Sequence, residues 1–203
     1  MVAVGASTPI AYIVRGVTYS APTPSTTASR IRLAVASEAT PDLLEGVARL
    51  LPQLSERAPV LGMRELERII FSPATQLLVA VDTEAVDMGR GRDDNRADSV
   101  SGTTAIVGML TLIVCQIPTG TRAWIEDVVV DVKARRFGIA TSLVQMALRL
   151  AQEAGAVTVE LTSRPSRKAA NLLYESIGFE RRDTNVYRYR FEQALNIGHD
   201  ESM

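Results

Sequence analysis

The residues best placed to do chemistry lie where a β-rich run gives way to a basic loop. The run spans residues 122–132, Arg135 and Arg136 follow it, and Gly138 then opens a helix. The first turn of a helix leaves backbone N–H groups unpaired and concentrates positive potential there, while small residues such as Gly138 and Ala140 let a ligand approach the backbone. This pattern indicates a phosphate-binding loop. An ordinary strand-to-helix turn with solvated arginines has the same pattern.

A second candidate group lies in the helix predicted over residues 166–177. Asn171 and Tyr174 are three residues apart, so their side chains share one face of that helix. A phenol can donate a proton to a leaving group. An isolated Tyr174 is equally a core aromatic residue with its hydroxyl at the rim.

Two adjacent carboxylates precede the basic loop. Glu126 and Asp127 lie in the predicted strand, where neighbouring side chains point to opposite faces. At most one of them is therefore expected to face a substrate. That carboxylate could take a proton from a substrate, orient it, or simply bond the backbone.

Composition excludes several other chemistries. The chain has 203 residues, with 22 Lys and Arg against 23 Asp and Glu, so no overall field attracts nucleic acid or an anionic membrane. The single cysteine, Cys115, and the single histidine, His199, are too few for a Cys–His nucleophile or a metal site built on them. We predict that Cys115 is a buried structural thiol. The sequence contains no run of about 20 apolar residues, so no membrane span is predicted.

These groups must be positioned by a mixed α/β sheet. Apolar periodicity predicts a single domain over residues 29–191 in the order β-α-α-β-β-β-α-β-α-β-β. Thr40 and Ser166 are expected to cap helices, and Gly155 and Gly178 to end them. The predicted strands are 29–36, 76–81, 104–117, 122–132, 156–162, 179–181 and 186–191, and the predicted helices begin at Thr40, Met63, Gly138 and Ser166.

Three segments depart from this pattern. Residues 82–103 are rich in Gly, Arg and Asp and poor in large apolar residues, so we predict a mobile insertion that is dispensable for folding. Residues 192–203 form a polar tail. Residues 1–28 are interpreted as an arm or an extra strand; their lack of acidic residues also fits a mitochondrial transit peptide. A lone cysteine favours a reducing compartment, and the cytoplasm is the expected location.

Two motifs together resemble the GNAT family of N-acetyltransferases. Arg135-x-x-Gly138-x-Ala140 is similar to the family's R/Q-x-x-G-x-G/A signature, and residues 169–179 are similar to its A-x-x-x-Y-x-x-x-G-F element. The spacing of the two blocks, one helix and one strand apart, strengthens the resemblance. It implies a mixed, mostly antiparallel sheet flanked by about four helices. Arg136 and Phe137 depart from the family pattern, but phosphate binding is expected to survive because it rests on backbone donors.

The resemblance also assigns roles to individual residues. The pyrophosphate of acetyl-coenzyme A (acetyl-CoA) would lie over the loop, and its pantetheine arm would pair with the backbone of the preceding strand. Tyr174 would protonate the leaving thiolate, Asn171 would hydrogen-bond the coenzyme, and Glu126 would accept the amine proton directly or through a water. No metal is implied. The coenzyme contacts would come from Val128, Val129, Val130, Arg135, Arg136, Phe137, Gly138, Ile139, Ala140 and Thr141.

The implied function is acetyl transfer to a primary amine, by direct attack in a ternary complex. A small-molecule acceptor is favoured, and residues 125–131 are similar to the matching strand of glucosamine-6-phosphate N-acetyltransferases. Two alternatives stay open, namely a protein lysine or N-terminal amine as acceptor, and a non-catalytic sensor of acyl-CoA. Neither nucleic acid nor membrane is expected as a partner, and a homodimer is left open.

Overall fold

A computed structural model describes residues 30–82 and 105–191. Five strands form one sheet in the order β1-β2-β3-β4-β5, antiparallel except for the parallel pair β4 and β5. The predicted fold class, a mixed and mostly antiparallel sheet with four α-helices, is confirmed. The elements are β1 (Ile31–Val35), α1 (Pro41–Leu54), α2 (Met63–Ile70), β2 (Thr75–Asp82), β3 (Ala105–Ile117), β4 (Gly120–Val130), a 3₁₀ turn (Val132–Ala134), α3 (Ile139–Glu153), β5 (Val159–Leu161) and α4 (Lys168–Ile177).

Each face of the sheet is covered by its own pair of helices. The alternation of side chains sends Leu78, Leu110 and Ile125 to one face, where they pack with α3, and α4 adds Leu173 to that cluster. The opposite face is covered by α1 and α2. We call the side of the sheet that α3 and α4 cover the α3 face, and the side that α1 and α2 cover the α1 face.

Strands β4 and β5 pair over only three residues. Ala123, Trp124 and Ile125 pair with Val159–Leu161, and the described residues give 126–130 of β4 no strand partner on that side. A gap therefore opens between the two strands beyond Ile125. Its β4 edge carries main-chain donors and acceptors that a bound molecule could use.

A β-bulge at Asp127 shapes this edge. The β3–β4 register shifts between Met109 and Thr111, and Asp127 has a left-handed φ of 54°. One extra residue reverses the alternation that follows it. As a result, Val128 packs on the α3 face and Val129 on the α1 face, although strict alternation would have placed them the other way.

Most predicted element boundaries agree with the structure, including the Thr40 cap, whose Oγ1 accepts from the Leu43 N–H at 3.2 Å. Gly178 ends α4 with a left-handed φ of 106°. The predicted Ser166 cap is wrong, because α4 begins at Lys168, with Arg167 at the cap position and no side-chain capping bond.

The two C-terminal strands predicted at 179–181 and 186–191 are also wrong. Those residues have no regular secondary structure, and Tyr187 and Phe191 are more than four-fifths exposed. Their alternating pattern has β propensity, but a strand needs a ladder partner. The neighbouring strand β5 is three residues long, shorter than the predicted 156–162, and the described residues provide no ladder for the segment.

Cys115 is exposed, which corrects the prediction of a buried thiol. It lies towards the end of the long strand β3, and Val114 packs on the α3 face, so the alternating Cys115 side chain points to the α1 face. Apolar neighbours in sequence indicated burial, but the side chain reaches solvent at this position. The arm at 1–28, the insertion from residue 83 onwards and the tail at 192–203 lie outside the described residues. Within 30–82 and 105–191, no helix is long and apolar enough to cross a bilayer.

Candidate active site

The loop between β4 and α3 has the backbone expected of an anion cradle. Gly138 has a left-handed φ of 74° and precedes the first helical residue, Ile139. The first helical hydrogen bond runs from the Ser142 N–H to the Gly138 carbonyl at 3.0 Å, so the N–H groups of residues 139–141 have no partner within the helix. Apart from its two chain neighbours, no atom of the described residues lies within 4 Å of a Cβ built on Gly138, so the space in front of it is open. The loop can accept phosphate oxygens at this point.

The loop side chains divide into exposed and buried groups. Arg135, Arg136 and Phe137 are exposed, and Arg136 also has a left-handed φ of 70°. Arg135 donates from Nε to the Val130 carbonyl at 3.1 Å, so part of its guanidinium already holds the end of β4. Ile139 is a buried core residue and can reach a ligand only through its backbone. Ala140 and Thr141 are half-buried.

Two of the three predicted valines have backbone groups that point to the open edge of β4. The Ala123 N–H donates to Thr158 on the β5 side, whereas the Asp131 N–H donates to Val107 on the β3 side. Peptide groups alternate in direction along a strand, so Val129, two residues before Asp131, points its groups to β3. Val128 and Val130 point theirs into the gap, where the Val130 carbonyl already accepts from Arg135 Nε. The bulge at Asp127 is what brings this pair to the open side.

Tyr174 lies on the α3 face of the site. Its ring is half-buried against the core cluster and meets Phe179 edge-on, with 5.8 Å between the ring centroids. Burial raises the pKa of the Tyr174 phenol above its ordinary value of 10.0, and the positive charge of Arg167 opposes that rise only in part. The phenol therefore keeps its proton at neutral pH and can donate it.

Asn171 lies on the same helix as Tyr174, three residues earlier. Its Nδ2 donates to the Arg164 carbonyl at 3.1 Å, which ties α4 to the loop before it. One of its donor hydrogens is thus engaged within the protein. The side-chain oxygen is the group best able to accept a hydrogen bond from a ligand.

Glu126 and Asp127 lie at the start of the gap. Ile125 packs on the α3 face, so the exposed Glu126 side chain is directed to the α1 face. Asp127 occupies the bulge itself. Although much of its side chain contacts solvent, desolvation by neighbouring groups raises the pKa of its carboxyl above the ordinary value of 3.8. The expectation that only one of the two faces a substrate assumed regular alternation, which the bulge removes.

An apolar surface lies beside Glu126 on the α1 face. Trp124 alternates to the same side as Glu126, and its β3 partner Ile113 does so as well. Both are half-buried, and neither belongs to the two core clusters. Glu160 of β5, paired in register with Trp124, holds Arg182 at 2.7 Å. Glu160 is thus already paired, whereas the Trp124 ring and the Glu126 carboxylate form a surface suited to a cation.

Tyr174 thus packs on the α3 face of the sheet, and Glu126, the first residue of β4 beyond the paired segment, is directed to the α1 face. The structure also reveals residues that the sequence did not indicate. Arg49 and Gln53 of α1 contact Asp131 and Val132 at the start of the loop, 82 and 79 residues away. No local pattern could have identified contacts at that separation.

Residues 60–179 match the GNAT acetyltransferase family. Because the match covers more than half of the chain, the protein belongs to this family and is an acetyltransferase. No curated protein matches the chain.

Solved structures share the fold at low sequence identity. An acetyltransferase from Trypanosoma brucei is 24% identical with a TM-score of 0.58, the match covering 79% of this chain and 99% of that one. An aminoglycoside acetyltransferase from an uncultured soil metagenomic sample, in complex with sisomicin, is 18% identical with a TM-score of 0.63 (82% and 99%). A ribosomal-protein-alanine N-acetyltransferase from Brucella melitensis is 20% identical with a TM-score of 0.56 (80% and 99%). The last two are named for different acceptors, so the shared fold does not fix the acceptor of this chain.

Proposed function

We propose that this protein transfers an acetyl group from acetyl-CoA to a primary amine of a small molecule, by direct attack in a ternary complex. The observation that carries the proposal is the gap between β4 and β5. It begins beside Glu126, and the loop that opens α3 follows the end of β4 at Val130. A coenzyme needs a phosphate cradle, an edge for its amide-bearing arm and a path to the acceptor, and the gap can supply all three.

In this proposal the coenzyme is held mainly by backbone groups. The pyrophosphate lies over residues 135–141, where Gly138 leaves open space and the first turn of α3 has unpaired N–H groups. The pantetheine arm pairs with Val128 and with the Val130 N–H on the open edge of β4, since the Val130 carbonyl already accepts from Arg135. Arg136 adds positive charge, and Asn171 accepts a hydrogen bond from the coenzyme.

The reaction proceeds in one attack on the thioester. The amine nitrogen forms a bond to the acetyl carbon, and the carbon–sulfur bond breaks as the tetrahedral intermediate collapses. Before the attack, Glu126, directly or through a water, takes one proton from the bound ammonium and frees the nitrogen lone pair. Tyr174 gives its proton to the departing sulfur, and the nitrogen loses a second proton as the amide forms. Protons balance, because the first nitrogen proton leaves through Glu126 to solvent and the second offsets the proton that reaches the thiolate.

The acceptor is proposed to bind on the α1 face beside Glu126. An ammonium group is attracted by a carboxylate and by the face of an aromatic ring, and Glu126 and Trp124 provide both. With 22 basic against 23 acidic residues, the chain has no excess charge to attract a charged protein acceptor. Small polyamines and amino sugars, glucosamine 6-phosphate among them, are the first acceptors to test.

The test is thioester consumption with a panel of amines, measured as release of free coenzyme A thiol. We expect acetyl-CoA alone to be stable and at least one small amine to be acetylated, with the product identified by mass. Binding of acetyl-CoA without consumption against the whole panel would instead favour a sensor. Acetylation of peptides but not of small amines would move the proposal to a protein acceptor.

The carboxylate that accepts the proton can be identified with Glu126→Gln and Asp127→Asn. Both changes keep size and hydrogen-bonding shape, so a selective loss reports the charge. We expect Glu126→Gln to lower kcat by about 10²-fold or more, the common worth of general-base help, and Asp127→Asn to lower it much less. A dominant effect of Asp127→Asn would transfer the role to Asp127.

The pH profile distinguishes the same two carboxylates. A base must be deprotonated to act, and the raised pKa of Asp127 means that this group is neutralised at a higher pH than an ordinary carboxyl. If Asp127 were the base, activity would fall below that raised pKa, and Asp127→Asn would remove this acidic limb. We expect Asp127→Asn to leave the profile unchanged.

A further inference from the structure

The coenzyme loop begins with a buried carboxylate. Asp131, the residue after β4, is 5% exposed, and its Oδ1 accepts from the Lys133 N–H at 3.0 Å, which caps the 3₁₀ turn. The Ala134 N–H closes the same turn onto the Asp131 carbonyl at 2.8 Å. The direction in which the chain leaves β4 therefore depends on how the Asp131 side chain is held.

Helix α1, which covers the opposite face of the sheet from α3, supplies the counter-charge. Arg49 pairs with the Asp131 carboxylate, and its second amino group donates to the Ile106 carbonyl at 2.6 Å. One guanidinium thus binds both β3 and the residue that follows β4. Burial by itself would raise the pKa of Asp131, but the Lys133 N–H and the Arg49 charge outweigh it and lower the pKa.

A second contact from α1 follows one helical turn later. The Gln53 Oε1 accepts from the Val132 N–H at 2.9 Å, and Gln53 lies four residues after Arg49, on the same face of the helix. The two side chains thus hold two successive residues, Asp131 and Val132. The next residue of α1, Leu54, accepts at its carbonyl from the Arg167 guanidinium at 2.9 Å. Arg167 is the cap residue of α4, the helix that carries Tyr174.

We propose that Arg49 and Gln53 are positioning residues for the coenzyme loop. They fix Asp131 and Val132 and thereby the arrangement of the N–H groups that would receive the pyrophosphate. This inference rests on the proposed use of acetyl-CoA. A loop held in its binding conformation before the ligand arrives pays less ordering entropy on binding, so loss of the clamp should weaken coenzyme affinity more than catalysis.

The decisive variant is Arg49→Met, with Arg30→Met as its matched control. Both arginines pair with a buried aspartate, and the exposed side-chain fractions are alike, 45% and 7% for Arg49 and Asp131 against 47% and 11% for Arg30 and Asp82. Only the Arg49 pair adjoins the loop, since Arg30 precedes β1 at the far edge of the sheet. Each change removes one guanidinium from a buried carboxylate.

We expect Arg49→Met to raise both Kd and KM for acetyl-CoA by about tenfold, equivalent to about 1.4 kcal/mol, while kcat at saturating coenzyme changes little. Arg49→Lys should recover part of the affinity. Gln53→Ala is a milder change that keeps the ion pair, and it should raise Kd by a few fold. It replaces Arg49→Met as the test if that variant does not fold. Arg30→Met should lower the melting temperature without changing Kd.

Hydrogen exchange tests the clamp without coenzyme. The Val132 and Lys133 amides should exchange faster in Arg49→Met than in Arg30→Met. Unchanged Kd and unchanged exchange in both Arg49→Met and Gln53→Ala would overturn the inference. A rise of Kd in Arg30→Met as large as that in Arg49→Met would also overturn it. Either result would leave the proposed function intact. Failure of the unmodified protein to bind acetyl-CoA would overturn the proposed function and this inference together.

Discussion

Replacing Tyr174 by Phe is expected to lower kcat by about 10²–10⁴-fold, the usual worth of general-acid help, while the Kd for acetyl-CoA stays nearly unchanged. The substitution keeps the ring, so the edge-on contact with Phe179 and the packing against the core are retained. Only the hydroxyl is lost. Because burial raises the pKa of this phenol, the native side chain carries its proton at neutral pH and the variant has none to give.

Three measurements on Tyr174→Phe separate catalysis from structure, namely steady-state kinetics with a good acceptor, a coenzyme titration and a thermal melt. A structural Tyr174 would lower the melting temperature and leave turnover per folded molecule unchanged. Phe179→Leu serves as the control, since it removes the ring partner of Tyr174 and keeps the phenol. Near-normal kcat in Tyr174→Phe, with thiolate departure shown to be rate-limiting, would assign proton donation to an ordered water.

Replacing Gly138 by Glu is expected to abolish measurable binding of acetyl-CoA. A carboxylate there would stand where the proposed phosphates approach, and two unit charges about 4 Å apart at a protein surface repel by about 4 kcal/mol. The left-handed φ of 74° also disfavours any side chain. We expect a loss of affinity above about 100-fold, equivalent to about 2.7 kcal/mol, in a calorimetric titration.

Gly155 provides the matched control for Gly138. It follows the other end of α3, is exposed and has a φ of 79°. Apart from its two chain neighbours, none of the described residues has an atom within 4 Å of a Cβ built on it. Gly155→Glu therefore carries the same backbone strain and the same charge away from the loop, and it should bind acetyl-CoA normally. Equal binding by folded Gly138→Glu and Gly155→Glu would discard the phosphate assignment.

The family could be recognised from the sequence because its evidence is local. Arg135, Gly138 and Ala140 lie within six residues of one another, and Tyr174 lies four residues before Gly178. Helix α1 was predictable for the same reason, since a Thr cap, a Pro in the first turn and a regular apolar stripe all lie within one segment. The phosphate, acid and base roles of these residues remain predictions.

Tertiary structure decided the features that depend on a partner distant in sequence. Whether residues 186–191 form a strand depends on a ladder partner, and apolar alternation alone predicted one that the structure does not contain. Whether Cys115 is buried depends on which part of the sheet a helix covers. In both cases the residue pattern states a preference, and packing over long separations determines the outcome.

The sequence by itself determined the helices, the loop with its glycine and the groups that can do chemistry, because these follow from spacings shorter than two helical turns. Only the tertiary structure decided which backbone groups of β4 face the gap, through the bulge at Asp127, and which helix holds the loop. Arg49 and Asp131 are 82 residues apart and meet because a buried carboxylate requires a counter-charge, and the packing of α1 over β3 and β4 provides it.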